Sequence, residues 1–368
     1  MSKTVPFFNY PALFKQNEEE YMDLLHEVLS RGAYILQRDL EEFEENLSEY
    51  LGIKHVIGVA DGTNAIQLSL MAAGIGADDE VIVPSHTYVA SAAAIHYVGA
   101  KPVFVECGRD HMIDVNSIQA AITKKTKAIM PVQLNGRTSD MSAICKIADD
   151  HGLCIVEDSA QALGSRFKGV SAGGFGAAGT SSFYPAKLLG CFGDGGAVLT
   201  NHDDIAKEVR LLRDHGRDED GDVIVWGTNS RLDNVQAAVL NFKLQTFTND
   251  VERRREIAAM YQQGLGSFNQ LLLPPAPDAD PDHFDVYQNY EIEAESRDEL
   301  QAALKTGGIG TIVQFGGKPV HKYPLGFDQL SLPFTESLYS RMLLLPMHTA
   351  LSNEDVEYVI DRVQNFYN

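Results

Sequence analysis

Lys187 stands in the run Ser181-Ser182-Phe183-Tyr184-Pro185-Ala186-Lys187-Leu188-Leu189-Gly190-Cys191-Phe192, where a strand-like stretch ends in a proline turn and an amine follows among small and apolar neighbours. Desolvation lowers the pKa of such an amine, and its neutral form is a nucleophile toward carbonyl groups. Taken alone, a lysine of this kind more often lies along a domain edge with its head in water. Asp158 closes the apolar run Leu153–Asp158. Ligands of open parallel sheets bind beyond the carboxyl ends of strands, so an acid there faces a crevice; singly it reads as a cap or turn residue. Gly62-Thr63-Asn64 opens a helical pattern directly after the strand-like His55–Ala60. A helix start offers backbone N–H groups to a phosphate. No Gly-Lys-Ser/Thr follows, and the full dinucleotide fingerprint is absent, so alone this is a plain strand-to-helix turn. Tyr88 follows the run Glu80–Ser85. A ring there can stack on a flat heterocycle, although singly it is more often core.

Those positions must be assembled by the elements around them. From His55 onward, strand-like runs (His55–Ala60, Glu80–Ser85, Lys101–Glu106, Lys127–Leu134, Leu153–Asp158, the Ser181–Pro185 run and Ala197–Asn201) are interleaved with predicted helices over Asn64–Ala73, Ala90–Val98 and Met141–His151. Short apolar strands separated by helices predict an α/β fold: a large domain with a mostly parallel seven-stranded sheet flanked by helices. Amphipathic helices are predicted before it, over Asn17–Leu29 and Asp39–Leu51, parted at Gly32. After residue 200 come a helix over Asp203–Asp214 and a long, bent helix over Asn234–Gly264. The Pro- and Asp-rich Pro274–His283 reads as an exposed connection. Val286–Glu293, a helix over Arg297–Thr306, Thr311–Phe315 and a last helix over Asn353–Tyr367 read as a smaller C-terminal α/β domain. The division expected is 1–245 for the large domain and 246–368 for the small one.

Composition removes several function classes. The net charge of −21 excludes nucleic acid and anionic membrane surfaces as partners, because both need clustered Lys and Arg. It leaves room for a small anionic substrate in a cleft whose local field differs. The four cysteines form no CxxC pair, and no His or Cys cluster has zinc spacing, so buried reduced thiols and no metal are expected. No apolar stretch of signal or membrane-spanning length occurs, which predicts a cytoplasmic protein.

An amine, an acid, a helix start with hydroxyls and an aromatic face are together what pyridoxal 5′-phosphate requires. Its aldehyde needs the amine, its phosphate the helix start, and its pyridine nitrogen an acid to stay protonated so that the ring can accept electrons. At these residues the chain resembles the DegT/DnrJ/EryC1/StrS sugar aminotransferase family, of the aspartate-aminotransferase (type I) fold. The resemblance runs from about Gly32 to the C-terminus. It is most specific in four stretches in family order: Val59–Ala92, Val156–Ser165, Ser181–Asn201, and Arg213–Asp218 with Trp226–Leu244. It implies that Lys187 carries the cofactor covalently and that Asp158 partners the pyridine nitrogen. Gln161 would lie near the 3-hydroxyl and Tyr88 would stack on the ring. Gly62, Thr63 and Ser182 would bind the phosphate, and Asn229 would reach the phosphate of a neighbouring subunit, which implies a homodimer with shared sites. Arg231 has either a structural role or a substrate carboxylate to hold. The implied reaction takes an amino group from L-glutamate, through the pyridoxamine 5′-phosphate form, to a keto sugar. Amino-sugar biosynthesis for surface polysaccharide, including lipopolysaccharide, is the implied setting.

Three segments depart from the family pattern. Gln133 and Asn135 stand in Pro131–Arg137 where the family often has His and Tyr. Gln288-Asn289 replaces His-Gln before Tyr290, and Phe315–His321 replaces Tyr-Pro-x-Pro-Leu-His. These segments flank the sugar in the family, so Gln133, Lys318 and His321 are candidate substrate residues, with Arg137 and Lys322 as further cations for a pyrophosphate or carboxylate. Gly193–Ala197 resembles versions acting at C3 of a dTDP-hexose. The leading acceptor is a nucleotide-linked 3-keto or 4-keto-6-deoxy hexose; an unlinked oxidised sugar acid such as an 8-oxo-octulosonate is the alternative. Dehydratase relatives carry a His in place of the lysine, which Lys187 disfavours. A non-catalytic sensor on the same fold is the rival of another class.

Overall fold

A computed structural model describes residues 3–327 and 329–368. Seven strands form the main sheet: β1 (His55–Val59), β2 (Glu80–Pro84), β3 (Lys101–Val105), β4 (Thr126–Ile129), β5 (Cys154–Asp158), β6 (Ala178–Ser182) and β7 (Gly196–Thr200). Their order is β1-β7-β6-β5-β4-β2-β3. Only β7 runs against its neighbours β1 and β6, so six strands share one carboxyl edge. Helices pack on both faces, which is why β2 is buried throughout and rich in Val and Ile. Two strands differ from expectation. β4 stops at Ile129 because Pro131, two residues on, has no N–H for a ladder. β6 is Ala-Gly-Thr-Ser-Ser, without the apolar run that would have marked its start. Its Gly179 is demanded by space: a Cβ there would lie 2.2 Å from the Cα of Gly173.

The expected long helix is two, Asn234–Leu244 and Phe247–Leu265, broken at Gln245-Thr246. Beyond the break lies an antiparallel sheet of β8 (Leu271–Leu272), β9 (Tyr290–Ala294) and β10 (Met342–Leu345), in the order β8-β9-β10. Helices Arg297–Thr306 and Asn353–Tyr367 cover it, the latter started by a capping box between Ser352 and Asp355. Tyr261, Tyr290, Ile292, Leu343 and Val359 form its core. Val5 joins that core and bridges Ile309, so the segment around Val5 packs with the C-terminal unit, while Phe14 and Tyr21 pack on Phe192 of the large one. Thr311–Phe315 contributes one bridge, Ile312 to Leu344, and then a tight turn instead of a strand. Pro274–His283 connects the units along the surface, and His283-Phe284 pairs with Arg166-Phe167. All four cysteines are free thiols; Cys107 and Cys191 are buried, Cys145 and Cys154 partly so. Among the described residues no helix is long and apolar enough to cross a membrane.

Candidate active site

The carboxyl edge of the sheet opens on a cavity of about 760 Å³ lined by Gly62, Thr63, Tyr88, Asp158, Gln161, Ser182 and Lys187. These are the positions the sequence nominates for an amine, an acid, a phosphate cradle and an aromatic face. β1, β2, β5 and β6 each deliver part of the set from their carboxyl ends.

Lys187 sits in the turn after β6. Its N–H bonds the Tyr184 carbonyl at 2.8 Å, and Cys191 N–H returns to the Phe183 carbonyl at 2.8 Å. The Gln288 side chain brackets it from the other unit: Oε1 accepts from Leu188 N–H at 2.7 Å and Nε2 donates to the Ala186 carbonyl at 2.8 Å. Gln288 is held in turn by the buried Arg254, whose guanidinium donates to the carbonyls of Tyr287, Gln288 and Met347. Gln288→Leu would leave two backbone groups beside the amine without partners, each worth about 1–3 kcal/mol. It should therefore lower kcat by on the order of tenfold or more with the fold retained; kcat unchanged in single-turnover assays would contradict this bracket.

Burial pushes the Lys187 ammonium down to about 8, against a smaller opposing pull from Asp158. In cofactor-free protein the neutral amine is thus available near neutral pH. The rate of pyridoxal-phosphate capture should rise with pH to about 8 and level off above it, because deprotonation is then complete. A rise that continues to the ordinary lysine value of 10.5 would contradict the perturbation.

Opposite the amine, Asp158 is buried at the end of β5. Its Oδ2 accepts from Ser91 Oγ at 2.6 Å and its Oδ1 from Ala160 N–H at 3.2 Å. Thr87 Oγ1 lies 2.7 Å from Ser91 Oγ and completes the chain. Those bonds fix a carboxylate that can accept one more hydrogen bond from a ligand. Tyr88 caps the helix Val89–Tyr97 that carries Ser91, so one turn places both the aromatic ring and the support of the acid.

The helix Gly62–Ala72 points its start at the same cavity. Asp61 takes the Asn64 N–H at 2.8 Å and leaves the Gly62 and Thr63 N–H groups without a hydrogen-bond partner among the described residues. A Cβ at Gly62 would lie 2.8 Å from the Ser182 Cβ. Only glycine lets this helix start approach the serine so closely, and two N–H groups and two hydroxyls converge there, a fit for a phosphate. The donor set therefore suits pyridoxal phosphate along its whole length.

Other nominated residues are placed elsewhere. Gln133 is corrected: it is fully buried and bonds Glu157 and Ser139 N–H at 2.7 Å each. Val132 and Leu134 line the cavity instead, because side chains alternate along an extended run. His321 is likewise buried away from the cavity, 2.6 Å from Ser85 Oγ and 3.2 Å from Glu336. Lys318 is exposed outside it. Arg137 is tied to Asp280 and Asp285, Lys322 to Glu336, and Arg231 to Asp214 at 2.7 Å. Asn229 lies exposed on a surface arm that pairs with Asp214 and carries Trp226, 96% exposed.

Part of the cavity wall comes from Phe7, Phe8, Ile312 and Gln314, which the sequence did not single out, and part from the departing segments at Asn289 and Phe315. Phe7 and Phe8 of the N-terminal segment line the cavity together with Ile312, Gln314 and Phe315. Asn289 Nδ2 donates to Asn135 Oδ1 at 2.9 Å and Gln161 Oε1 at 3.2 Å, and Gln314 donates to Asn135. This amide chain joins the two units across the cleft. The departures at Asn135 and Asn289 were its signal, since the two altered positions are bonded to each other.

Residues 15–364 match the model of the DegT/DnrJ/EryC1/StrS aminotransferase family. The chain is 41% identical to the dTDP-3-amino-3,4,6-trideoxy-alpha-D-glucose transaminase of Streptomyces venezuelae, over 98% of this chain and 96% of that one. It is 40% identical to a pleiotropic regulatory protein of Geobacillus stearothermophilus, over 99% and 98%. The crystal structure of S. venezuelae DesV in complex with a ketimine intermediate superposes with a TM-score of 0.95 at 40% identity, covering 99% of each chain. With the family model matched over residues 15–364 and relatives matched almost end to end at about 40% identity, this protein belongs to the DegT/DnrJ/EryC1/StrS aminotransferase family.

Proposed function

We propose that the chain is a cytoplasmic, pyridoxal-phosphate-dependent aminotransferase that moves an amino group from L-glutamate to the keto group of a nucleotide-linked hexose, with C3 of a dTDP-linked sugar as the leading position. The observation that carries the reading is the meeting of Lys187, Asp158 and the Gly62–Thr63–Ser182 cradle in one cavity. Bound pyridoxal phosphate supplies an electron sink that makes the Cα–H of an amino acid acidic. Lys187 would hold the cofactor through its aldehyde carbon; once an amino donor frees it, its neutral amine would take the donor's Cα proton and return it to that former aldehyde carbon, across the intervening nitrogen. Asp158 keeps the pyridine nitrogen protonated. Tyr88 would cover one ring face, and Gln161, held by Asn289, would meet the ring edge.

Support for a sugar acceptor is the wall itself. Its amides (Asn289, Gln314 and Gln161) suit hydroxyl groups, and Phe7, Phe8 and Ile312 suit the apolar face of a pyranose. Among the described residues, Lys187 is the one cation that lines this cavity. The anionic ends of donor and nucleotide therefore need cations from elsewhere, which supports a homodimer in which the arm bearing Asn229 completes the neighbour's site. The test is turnover with L-glutamate against a panel of acceptors. Amination of a dTDP- or UDP-linked 3-keto hexose is expected; activity confined to an unlinked oxidised octulosonate would overturn the nucleotide-sugar assignment.

A further inference from the structure

On the far side of the amide wall, the loops after β2 and β3 meet β9 at a cluster of His86, His111 and Glu291. His86 is 1% and Glu291 3% exposed. His86 Nε2 lies 3.4 Å and His111 Nδ1 2.6 Å from the same oxygen, Glu291 Oε1. One ring nitrogen from each histidine and a carboxylate oxygen fall within 4.8 Å of one another. Two independent observations point to a ligand. First, Glu291 Oε2 is buried without a hydrogen-bond partner among the described residues, and His86 Nε2 has only its long 3.4 Å contact with Glu291 Oε1, without hydrogen-bond geometry; buried polar atoms in folded proteins are nearly always satisfied. Second, the outward nitrogen of each ring is anchored: His86 Nδ1 is 3.1 Å from the Tyr339 hydroxyl, and His111 Nε2 is 3.1 Å from Glu293 Oε1. Glu293 is itself held by Arg341. Imidazoles that bind metals are oriented in this way by their other nitrogen.

We propose that His86, His111 and Glu291 bind one first-row divalent cation of the zinc type. Two nitrogens and one carboxylate suit zinc, cobalt or iron rather than magnesium or calcium, which take oxygen. Tetrahedral ligands at zinc distances are about 3.3 Å apart. The His86–Glu291 pair already has that spacing, and rotation of the carboxylate to offer Oε2 opens the shorter His111 contact. His111 and Glu291 also line a separate cavity of about 340 Å³, which admits an ion and a water as fourth ligand. The ion would tie the loop that carries Tyr88, two residues beyond His86, to the strand that follows Asn289. Its role is to fix the two walls of the cleft; it touches no reacting atom. Without an ion the same geometry places a proton on each His111 nitrogen, between Glu291 and Glu293, and the cluster is a charged contact only.

The test is metal content of the holoenzyme after chelator treatment, incubation with Zn²⁺ or Co²⁺, and desalting. About one equivalent per chain is expected, with the visible d–d absorption of cobalt in a nitrogen and oxygen site, and at least a roughly tenfold lower content in Glu291→Gln. His86→Gln is the second variant, because it removes a ligand while leaving the His111–Glu291–Glu293 contacts that hold the fold. Wild-type retention below about a tenth of an equivalent, or equal retention in wild type and a folded variant, would overturn the site.

Discussion

Lys187→Ala is expected to abolish steady-state transamination, with a loss of roughly 10⁴-fold or more, because in the proposed mechanism one side chain both tethers the cofactor and moves the proton. No other amine among the described residues lines the cavity to substitute for it. Lys187→Arg should be equally inactive, since a guanidinium stays protonated at any working pH and cannot act as nucleophile or base. The fold should survive both changes. The turn is held by backbone bonds to Tyr184 and Phe183 and by the Gln288 bracket, none of which uses the amine. Circular dichroism and kcat measured together would check this; activity within about tenfold of wild type in a folded Lys187→Ala protein would remove Lys187 from the mechanism.

Asp158→Asn should produce the second largest effect. Both oxygens accept, from Ser91 Oγ and from the Ala160 N–H, and the isosteric amide keeps the shape by leaving its oxygen on Ala160 and donating to the Ser91 hydroxyl oxygen. What is lost, on the proposed pairing of this acid with the cofactor ring, is the negative charge that would lie beside the pyridine nitrogen. A charge-assisted hydrogen bond is worth up to about 3 kcal/mol, so a loss of about 10²-fold is expected both in kcat and in cofactor retention on dialysis. Ser91→Ala should act in the same direction and less, since it removes the support and keeps the charge. Wild-type kcat and retention in Asp158→Asn would contradict the pairing of this acid with the cofactor ring.

The sequence was most legible where one strand end carries one chemical group. Gly62, Tyr88, Asp158 and Ser182 each sit at or just past a strand of the main sheet, and the sheet's parallel order alone brings them to one edge. Legibility failed where the relevant contact joins distant segments. Phe7 and Phe8 reach the cleft because Val5 is bridged to Ile309, a pairing across most of the chain. β10 is a run of Met and Leu after a helix, and only its partner β9 makes it a strand. Gln133 was misplaced for a simpler reason: its neighbours Val132 and Leu134 face the cavity, and an extended run turns the residue between them away. The His86, His111 and Glu291 cluster follows no ligand spacing because three separate loops and strands supply it.

Lys187 is expected to bind pyridoxal phosphate and to exchange it for an amino donor. The absorption spectrum of the purified protein, recorded before and after L-glutamate is added, tests it most directly. The account predicts a visible band of lysine-bound cofactor that glutamate converts to the near-ultraviolet band of pyridoxamine phosphate, and that Lys187→Ala lacks. A band that glutamate leaves unchanged would contradict the donor half-reaction, and no band after cofactor is supplied would contradict the role of Lys187 itself.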